Sequence, residues 1–492
     1  MLPVIIQGGM GVGVSSWRLA NAVACAGQLG VVSGTAMDTT LVRRLCDGDP
    51  GGHYRRALEA FPIQDFVDRV MEKFFRPEGR QGAPYTPLKL YGMKHDRERE
   101  LLLVLANFAE VFLAKAGHDG PVGVNLLTKI QLPNLASLYG AMLAGVDYVL
   151  MGAGIPREIP GALDRMAVHE PASMHIDVHG ATGAEDEVLT FSPAELWDGA
   201  PPELVRPNFL PIIASNSLAT MMARKATGRI DGFIVEGPTA GGHNAPPRGA
   251  KQYNDRGEPL YGERDVVDLE KLGELGLPFW VAGGAGSPER LAEVRAQGAA
   301  GIQVGTLFAY SDESGFREDL RDHVIRLALE GKVDVFTDDR ASPTGFPFKV
   351  VTLGDSLSEK DVYEERERVC DLGYLRTPYR REDGKIRFRC ASEPVDTFVK
   401  KGGCIDETTG RKCLCNALMA NIGLGQVRDN AAGEELPLLT SGDDLTLLGR
   451  FLQGRTRYTA ADVIDYLLGN ESQTAEPPVE AAPAAEVQHS TL

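Results

Sequence analysis

The sequence has 492 residues, a length that predicts two to four domains unless an α/β barrel takes up 250 residues or more as one unit. Its hydrophobic content of 43% and charged content of 24% are those of a globular protein. The net charge of −17 argues against a nucleic-acid partner and against an anionic membrane surface, since phosphates would be repelled.

The N-terminus lacks the features of a signal peptide. It has no basic region, and its apolar run at 2–6 is too short for a signal sequence. No stretch approaches the roughly 18 apolar residues of a membrane span. We therefore expect a cytoplasmic protein, in which the seven cysteines are reduced or metal-bound rather than paired in disulfides.

Eight short apolar runs follow one another through the first 350 residues, with helical patterns between many of them. They lie at 3–9, 30–34, 121–127, 146–154, 210–217, 231–237, 277–285 and 300–306. Such runs are typical of parallel strands buried on both faces. Eight strands that alternate with helices predict an α/β fold, a (β/α)8 TIM barrel over residues 1–350. An open doubly wound sheet is the alternative.

Two long connections interrupt the barrel pattern. Residues 36–120 carry helical periodicity and predict a helical insertion. Residues 155–209 hold two β-like runs, at 174–180 and 187–191, which predict an added hairpin. Insertions at the carboxyl ends of barrel strands usually shape the active-site mouth.

The composition changes after residue 350. Residues 351–470 are charge-rich, hold five of the seven cysteines and end in helical patterns, so we expect a cysteine-containing, α-rich extension. The Ala-, Pro- and Glu-rich tail at 471–492 predicts disorder. The turn formers of 341–351 indicate a segment that folds back over the barrel mouth.

Two glycine turns close the last two predicted strands. Gly283 and Gly284 come before a helix start at Ser287-Pro288, and Gly305 is followed by Thr306. Barrels often bind phosphate in the loops after strands seven and eight, where glycines let the backbone approach an anion. The N-terminal turn at 7–13 could lie against a flat ring. The alternative is that these glycines only serve tight turns.

His243 follows a glycine pair at the end of the sixth predicted strand, where barrel enzymes keep their chemistry. Its imidazole can take or give a proton near neutral pH, although a solvated loop histidine would look the same. Asn244 and Arg248 could contact a substrate. His175 and His179, in the predicted hairpin, are expected to be structural.

Several stretches together resemble the nitronate monooxygenase (2-nitropropane dioxygenase-like) family of FMN-dependent TIM barrels, which includes flavin enoyl-acyl-carrier reductases. The long form, with its cysteine-bearing extension, also resembles the trans-acting enoyl reductases of polyunsaturated fatty-acid synthases. The stretches are PVIIQGGMGVGVSSWRLANAVACAGQLGVVSG, VGVNLL, IVEGPTAGGH, VAGGAGSPERL and IQVGTLFAYSDES.

The resemblance implies a set of site residues. His243 would be the active-site residue, and the FMN contacts would be Gly8, Gly9, Met10, Asn125, Gly241, Gly242, Gly283, Gly284, Gly305 and Thr306. Of these, the first three and Asn125 would meet the flavin ring, and the last four would hold its phosphate. Many family members read Gln-Gly-x-Glu-Ala-Gly-Gly-His before the histidine. Here the stretch at 236–240 is Glu-Gly-Pro-Thr-Ala, which changes the pocket wall.

The cysteines of the extension are dense but irregularly spaced. Thiolates at such density can hold zinc or an iron–sulfur cluster, and we expect the ligands to be Cys390, Cys404, Cys413 and Cys415. The alternative is buried structural thiols, as expected for Cys25 and Cys46.

The primary hypothesis is an FMN-dependent oxidoreductase that oxidises nitronates, nitroalkanes or a related carbon acid, with His243 as the base. An alternative is an NAD(P)H- and FMN-dependent enoyl-thioester reductase, in which 36–120 and the extension dock an acyl-carrier domain. Another class is a non-catalytic flavin- or metal-binding subunit. A nucleotide dehydrogenase barrel is excluded, since no cysteine lies between Cys46 and Cys370. We expect a small-molecule substrate and leave a homo-oligomer open.

Overall fold

The structure is a computed structural model that describes residues 2–180, 187–428 and 433–470. Its strands are β1 (Ile5–Gln7), β2 (Gly30–Ser33), β3 (Val122–Leu127), β4 (Tyr148–Gly152), β5 (Ala172–Ile176), β6 (Glu187–Phe191), β7 (Asn208–Ile213), β8 (Phe233–Glu236), β9 (Phe279–Ala282), β10 (Gly301–Val304), β11 (Val335–Asp338), β12 (Phe348–Val351), β13 (Thr377–Arg380) and β14 (Ile386–Arg389).

Eight of these strands form one parallel sheet in the order β1-β10-β9-β8-β7-β4-β3-β2. A parallel bridge between Ile6 and Leu29, and a 2.9 Å hydrogen bond from the Gln7 amide to the Leu29 carbonyl, join its two ends. The sheet is therefore a closed barrel, as predicted, and the open-sheet alternative is wrong. Seven of the predicted runs contain one barrel strand each, and the run at 210–217 overlaps β7.

The barrel interior is filled by apolar side chains with almost no exposure. Ile6, Leu150, Ile234 and Trp280 belong to this inner cluster. The Trp280 indole donates a 2.8 Å hydrogen bond to the carbonyl of Pro3, so its one polar atom is satisfied at the bottom of the barrel. The barrel is a packed core, and space for a ligand remains only at the carboxyl ends of the strands.

The helices surround the barrel and form the extension. They are α1 (Trp17–Cys25), α2 (Met37–Cys46), α3 (His53–Glu59), α4 (Gln64–Phe74), α5 (Arg97–Ala114), α6 (Asn134–Leu143), α7 (Ile159–Met166), α8 (Asn216–Lys225), α9 (Leu269–Gly273), α10 (Pro288–Ala296), α11 (Thr306–Ala309), α12 (Glu318–Leu329), α13 (Lys360–Glu365), α14 (Val395–Lys400), α15 (Leu414–Asn421), α16 (Leu448–Leu452) and α17 (Ala460–Leu468). No helix of the described residues is long and apolar enough to cross a membrane.

Local sequence explains where several helices begin. Ser287 caps α10 by accepting a hydrogen bond from the Arg290 amide, and Pro288 is the first helical residue, as predicted. Asp96 caps α5 in the same way. Thr459 and Asp462 form a capping box at the start of α17.

The long segment 36–120 contains α2, α3, α4 and α5. The last of these, α5, packs against α1 and α6 and so takes the place of the barrel helix between β2 and β3. The other three helices are additions to the barrel. In the second long connection, β5 and β6 form the antiparallel hairpin that alternating residues indicated.

The C-terminal extension is not purely helical, because it includes the antiparallel hairpin β13–β14. A second hairpin, β11–β12, connects the barrel to the extension. Helix α17 returns to pack against α1 and α10 on the outside of the barrel. The tail at 471–492, for which disorder was predicted, lies outside the described residues.

Candidate functional site

A cavity of about 210 Å³ lies at the carboxyl ends of the barrel strands. Loops after β1, β3, β8, β9 and β10 line it, and the extension covers it. Every residue that was predicted to contact FMN lines this cavity, as does His243: Gly8, Gly9, Met10, Asn125, Gly241, Gly242, Gly283, Gly284, Gly305 and Thr306. The structure thus collects at one place residues from four separate turns and from strand β3.

The loop after β1 is held by a buried polar network. Ser15 Oγ donates to the Gly8 carbonyl (2.8 Å) and accepts the Met10 amide (2.8 Å). Gln7, which is fully buried, donates to Ser15 Oγ (2.7 Å). Gly9 packs so closely on β3 that a Cβ would lie 2.2 Å from Asn125 Cβ. A glycine is therefore required at position 9, and the loop presents its backbone to the cavity.

The opposite end of the cavity has the geometry of an anion site. Gly283 and Gly284 both have positive φ, at 86° and 62°. Successive amides in such turns form concave nests that favour anions. Thr239 lies beside this turn, since a Cβ on Gly283 would be 3.0 Å from Thr239 Oγ1. Glycine is thus needed both for the backbone conformation and for space.

Residues 440–444 of the extension, which we name the closing segment, lie directly over this anion end. The Gly242 amide donates to Thr440 Oγ1 (2.8 Å), and the Asp443 amide donates to the Thr239 carbonyl (3.0 Å). Buried Lys349 donates to both oxygens of Asp443, at 2.6 and 2.7 Å. The closing segment is therefore fixed to the glycine turn after β8 and to β12.

The closing segment also places an acid at the anion end. Thr306 Oγ1 donates to Asp444 Oδ1, so the hydroxyl predicted to bind phosphate already has a partner. Burial raises the pKa of Asp444 above its usual range. A protonated Asp444 can donate a hydrogen bond to an anion there, whereas the ionised form would repel it.

His243 lies beneath the segment 341–351, which folds back over the barrel mouth as predicted. Its ring packs edge-on against Phe348, with ring centres 4.9 Å apart. Its Nε2 and Ser342 Oγ are hydrogen-bonded at 2.7 Å. Burial, together with the nearby Lys129 ammonium, lowers the pKa of His243 well below its ordinary range. The imidazole is therefore neutral at neutral pH.

Lys129 and Glu236 are a second titratable pair beside this histidine. The Lys129 ammonium lies 3.7 Å from the centre of the Phe346 ring and 3.5 Å from Thr344 Oγ1. Burial lowers the pKa of Lys129 from 10.5 to about 7, against the opposing charge of Glu236. Burial raises the pKa of Glu236, at the end of β8, from 4.5 to about 7. Two groups that titrate near neutrality suit proton transfer better than His243 does.

Other candidate residues have structural partners. The Asn244 amide group donates to the Ala240 carbonyl (2.9 Å), within the same turn. Arg248 donates to the carbonyls of Ala214 and Arg264 outside the main cavity. His175 is paired with Glu158, and the backbone of His179 bonds to the β13 strand.

The predicted metal ligands Cys390, Cys404, Cys413 and Cys415 do not come together as a set. Cys404 is exposed, at the start of a 3-10 turn, while Cys390 and Cys413 are buried. Cys370, which was left out of the predicted set, lies beside Cys390 instead. Within the described ranges, no three His, Cys, Asp or Glu side chains are arranged to hold a single metal ion.

The residues that line the cavity fit FMN. The amide oxygen of Gln303 is buried without a hydrogen-bond partner and lies next to Gly8, where a flavin ring offers polar edge atoms. The nest at Gly283 and Gly284 suits a phosphate, and Asp444 can accompany it in the protonated form. The ring end and the phosphate end are therefore both provided by this chain.

Sequence reasoning missed four residues of this site: Lys129, Ser342, Gln303 and Asp444. Glu236 was noted only as a departure from the family pattern. Glu236 could have been found from the sequence, because it is a charged residue at the end of an apolar strand. Asp444 and Ser342 gave no such signal, since they lie in polar loops far along the chain.

Comparisons with known proteins show which proteins this chain is similar to. Residues 205–338 match the family model described as nitronate monooxygenase. A probable nitronate monooxygenase from Staphylococcus saprophyticus is 32% identical over 117 residues, which cover 24% of this chain and 31% of that protein. The match thus spans about a third of the relative's length.

The solved structure of one similar protein shows the same fold. FabK from Thermotoga maritima has a TM-score of 0.50 and 16% identity, covering 96% of this chain and 93% of its own. A nitroalkane oxidase from Streptomyces ansochromogenes has a TM-score of 0.45 and 16% identity, with 95% of each chain covered.

Proposed function

Because residues 205–338 match the nitronate monooxygenase family model, we propose that the chain is an FMN-dependent oxidoreductase acting on nitronates, nitroalkanes or a related carbon acid. The observation that carries the proposal is the single cavity that unites the glycine turns after β1, β8, β9 and β10 with His243. Bound FMN would accept electrons from the substrate and pass them to oxygen. The chain's own residues would bind the substrate and move its proton.

Glu236 is the better candidate for the base. A general base works best when its pKa is near the operating pH, and the pKa of Glu236 is about 7. His243, whose pKa is lowered by burial, would stay neutral and orient the substrate by a hydrogen bond, with Ser342 fixing its ring. We therefore move the base from His243 to Glu236. Lys129, when protonated, would offset the negative charge of a nitronate.

Turnover of a neutral nitroalkane, compared with turnover of its preformed nitronate, distinguishes a base from a residue that only orients the substrate. The nitroalkane must lose a carbon-bound proton, whereas the nitronate has already lost it. We expect Glu236→Gln to reduce nitroalkane turnover at least about 100-fold, the usual contribution of a general base, and to leave nitronate turnover within a few-fold. If His243→Ala shows this pattern and Glu236→Gln does not, the base is His243.

The second candidate, an enoyl-thioester reductase, has one observation in its favour. The extension adds the apolar side chains of Leu375, Leu414 and Leu418 to the lining of the cavity, which suits an acyl chain. NAD(P)H consumption that requires an enoyl thioester, with no oxidation of nitronates, would select it. The docking of an acyl-carrier domain and NAD(P)H as co-substrate depend on that result.

The first experiment is identification of the cofactor. The full chain is purified, its absorbance spectrum recorded, and the released cofactor identified by mass. FMN bands with turnover on either substrate class support an enzyme. FMN bands without turnover on either class would favour a non-catalytic flavin-binding subunit. A colourless protein that does not take up added FMN would refute the proposed cofactor.

A further inference from the structure

Separate segments of the extension bring four cysteines to one place. The cysteines are Cys370 before β13, Cys390 after β14, and Cys413 and Cys415 at the start of α15. Asn416 joins two of these segments, because its amide donates to Asp371 Oδ1 (2.7 Å) and to Cys413 Sγ (3.4 Å). Arg368 joins another pair by donating to the Ala391 carbonyl (3.2 Å). The convergence is thus fixed by hydrogen bonds of neighbouring residues.

The four thiols face one another. Cys370 lies beside Cys390, and it also interacts electrostatically with the thiols of Cys413 and Cys415. Cys415 interacts with both Cys413 and Cys390. Cys390 and Cys413 are each only 5% exposed. Cys404 does not take part, although it lies between them in sequence.

Backbone amides and cations surround the thiols. The backbone amides of Tyr374 and Leu375 lie close to Cys415. The guanidinium of Arg376 interacts with three of the thiols, and that of Arg366 interacts with Cys413. Amides and arginines in these positions would offset the negative charge of cluster-bound thiolates.

We propose that Cys370, Cys390, Cys413 and Cys415 bind an iron–sulfur cluster through four thiolates. Tetrahedral zinc would need its sulfurs at roughly 3.8 Å from one another, from a Zn–S distance of about 2.3 Å. The described residues offer no three ligands arranged around a single ion in this way. Four thiolates are also the ligand set of the common iron–sulfur clusters, which are wider than one ion.

The proposed cluster would lie in the wall of the main cavity. Cys415 lines that cavity together with its neighbours Tyr374 and Leu375. The iron–sulfur proposal can be tested independently of the proposed function, because the iron and flavin contents of the protein are measured separately. A protein that holds iron without flavin, or flavin without iron, tells the two proposals apart.

The test compares two cysteines of the same extension, only one of which is a proposed ligand. The full chain, Cys370→Ser and Cys404→Ser are purified anaerobically and reconstituted with iron and sulfide. We expect about two or four iron atoms, and as many sulfides, per wild-type chain, with a broad absorbance near 400 nm that dithionite bleaches. Cys370→Ser should lose at least about three quarters of the iron, whereas Cys404→Ser should keep it.

A measurement on the wild-type chain covers the case in which Cys370→Ser does not fold. Alkylation followed by mass spectrometry should label Cys25 and Cys404 in the reconstituted protein and leave the four proposed ligands unlabelled until the iron is chelated. Iron below about a tenth of an equivalent after reconstitution, or one zinc in its place, would overturn the proposal. So would protection of Cys404 in place of Cys370.

Discussion

Replacing Glu236 by glutamine should stabilise the ligand-free protein at high pH. The carboxyl lies at the end of β8, where burial raises its pKa from 4.5 to about 7. Between these two pH values the folded state holds a proton that the unfolded state has released. The stability of the wild type must therefore fall as the pH rises through this range. Glutamine has the same shape and no charge, so the stability of the variant should not fall in this way as the pH rises.

The size of the effect follows from the two pKa values. Each pKa unit is worth about 1.4 kcal/mol, so a rise from 4.5 to about 7 corresponds to about 3 kcal/mol at most. The full difference is reached above pH 7, where the carboxylate is ionised and the neighbouring Lys129 has lost most of its charge. Below pH 4.5 the carboxyl is protonated in both states, and the difference should vanish.

Urea unfolding of the wild type and of Glu236→Gln at pH 4.5, 6 and 8.5 measures this difference. The control is Glu263→Gln, which removes an exposed carboxylate on the same side of the barrel and should change little at any pH. We expect the variant to be more stable than the wild type by about 2–3 kcal/mol at pH 8.5. Equal or lower stability of the variant at pH 8.5 would refute a buried Glu236 with a raised pKa.

Three further changes test other parts of the site. Asp444→Asn should tighten FMN binding at pH 8 about tenfold, because it removes about 1.4 kcal/mol of charge repulsion. Fluorescence titration should also show that the FMN affinity of the variant falls less with rising pH than that of the wild type. Ser342→Ala removes the 2.7 Å hydrogen bond to His243, so kcat/KM should fall while unfolding changes by about 1 kcal/mol. Gly9→Ala would place a Cβ 2.2 Å from a β3 side chain and should cost about 1–3 kcal/mol in urea unfolding, whereas Gly199→Ala, where a Cβ meets nothing within 4 Å, should be neutral.

The barrel could be predicted because its signals are local. A parallel strand buried on both faces must be apolar along its length, so each run at 3–9, 121–127 or 277–285 shows itself without reference to the rest of the chain. The glycine turns could also be predicted locally. Gly283 and Gly284 have positive φ angles, which residues other than glycine rarely adopt, so a glycine pair indicates such a turn. Strand order then follows from the alternation with helices.

The cysteine site could not be predicted in the same way. Cys404, Cys413 and Cys415 are close in sequence, and proximity in sequence suggested a common ligand. In the structure a turn after α14 exposes Cys404, while the path of the chain through β13 and β14 brings Cys370 against Cys390. The three-dimensional paths of the loops decide which cysteines become neighbours. The irregular spacing of the cysteines in the sequence does not predict those paths.

By itself, the sequence determined the barrel, the glycine turns at its mouth and His243 at the end of β8, because each depends on residues near one another in the chain. Only the tertiary structure decided the charge state of the site. Lys129, Glu236 and Asp444 lie in segments far apart in sequence, and their pKa values shift because folding buries them. Burial and neighbouring charge are properties of the assembled fold, so no local pattern records them.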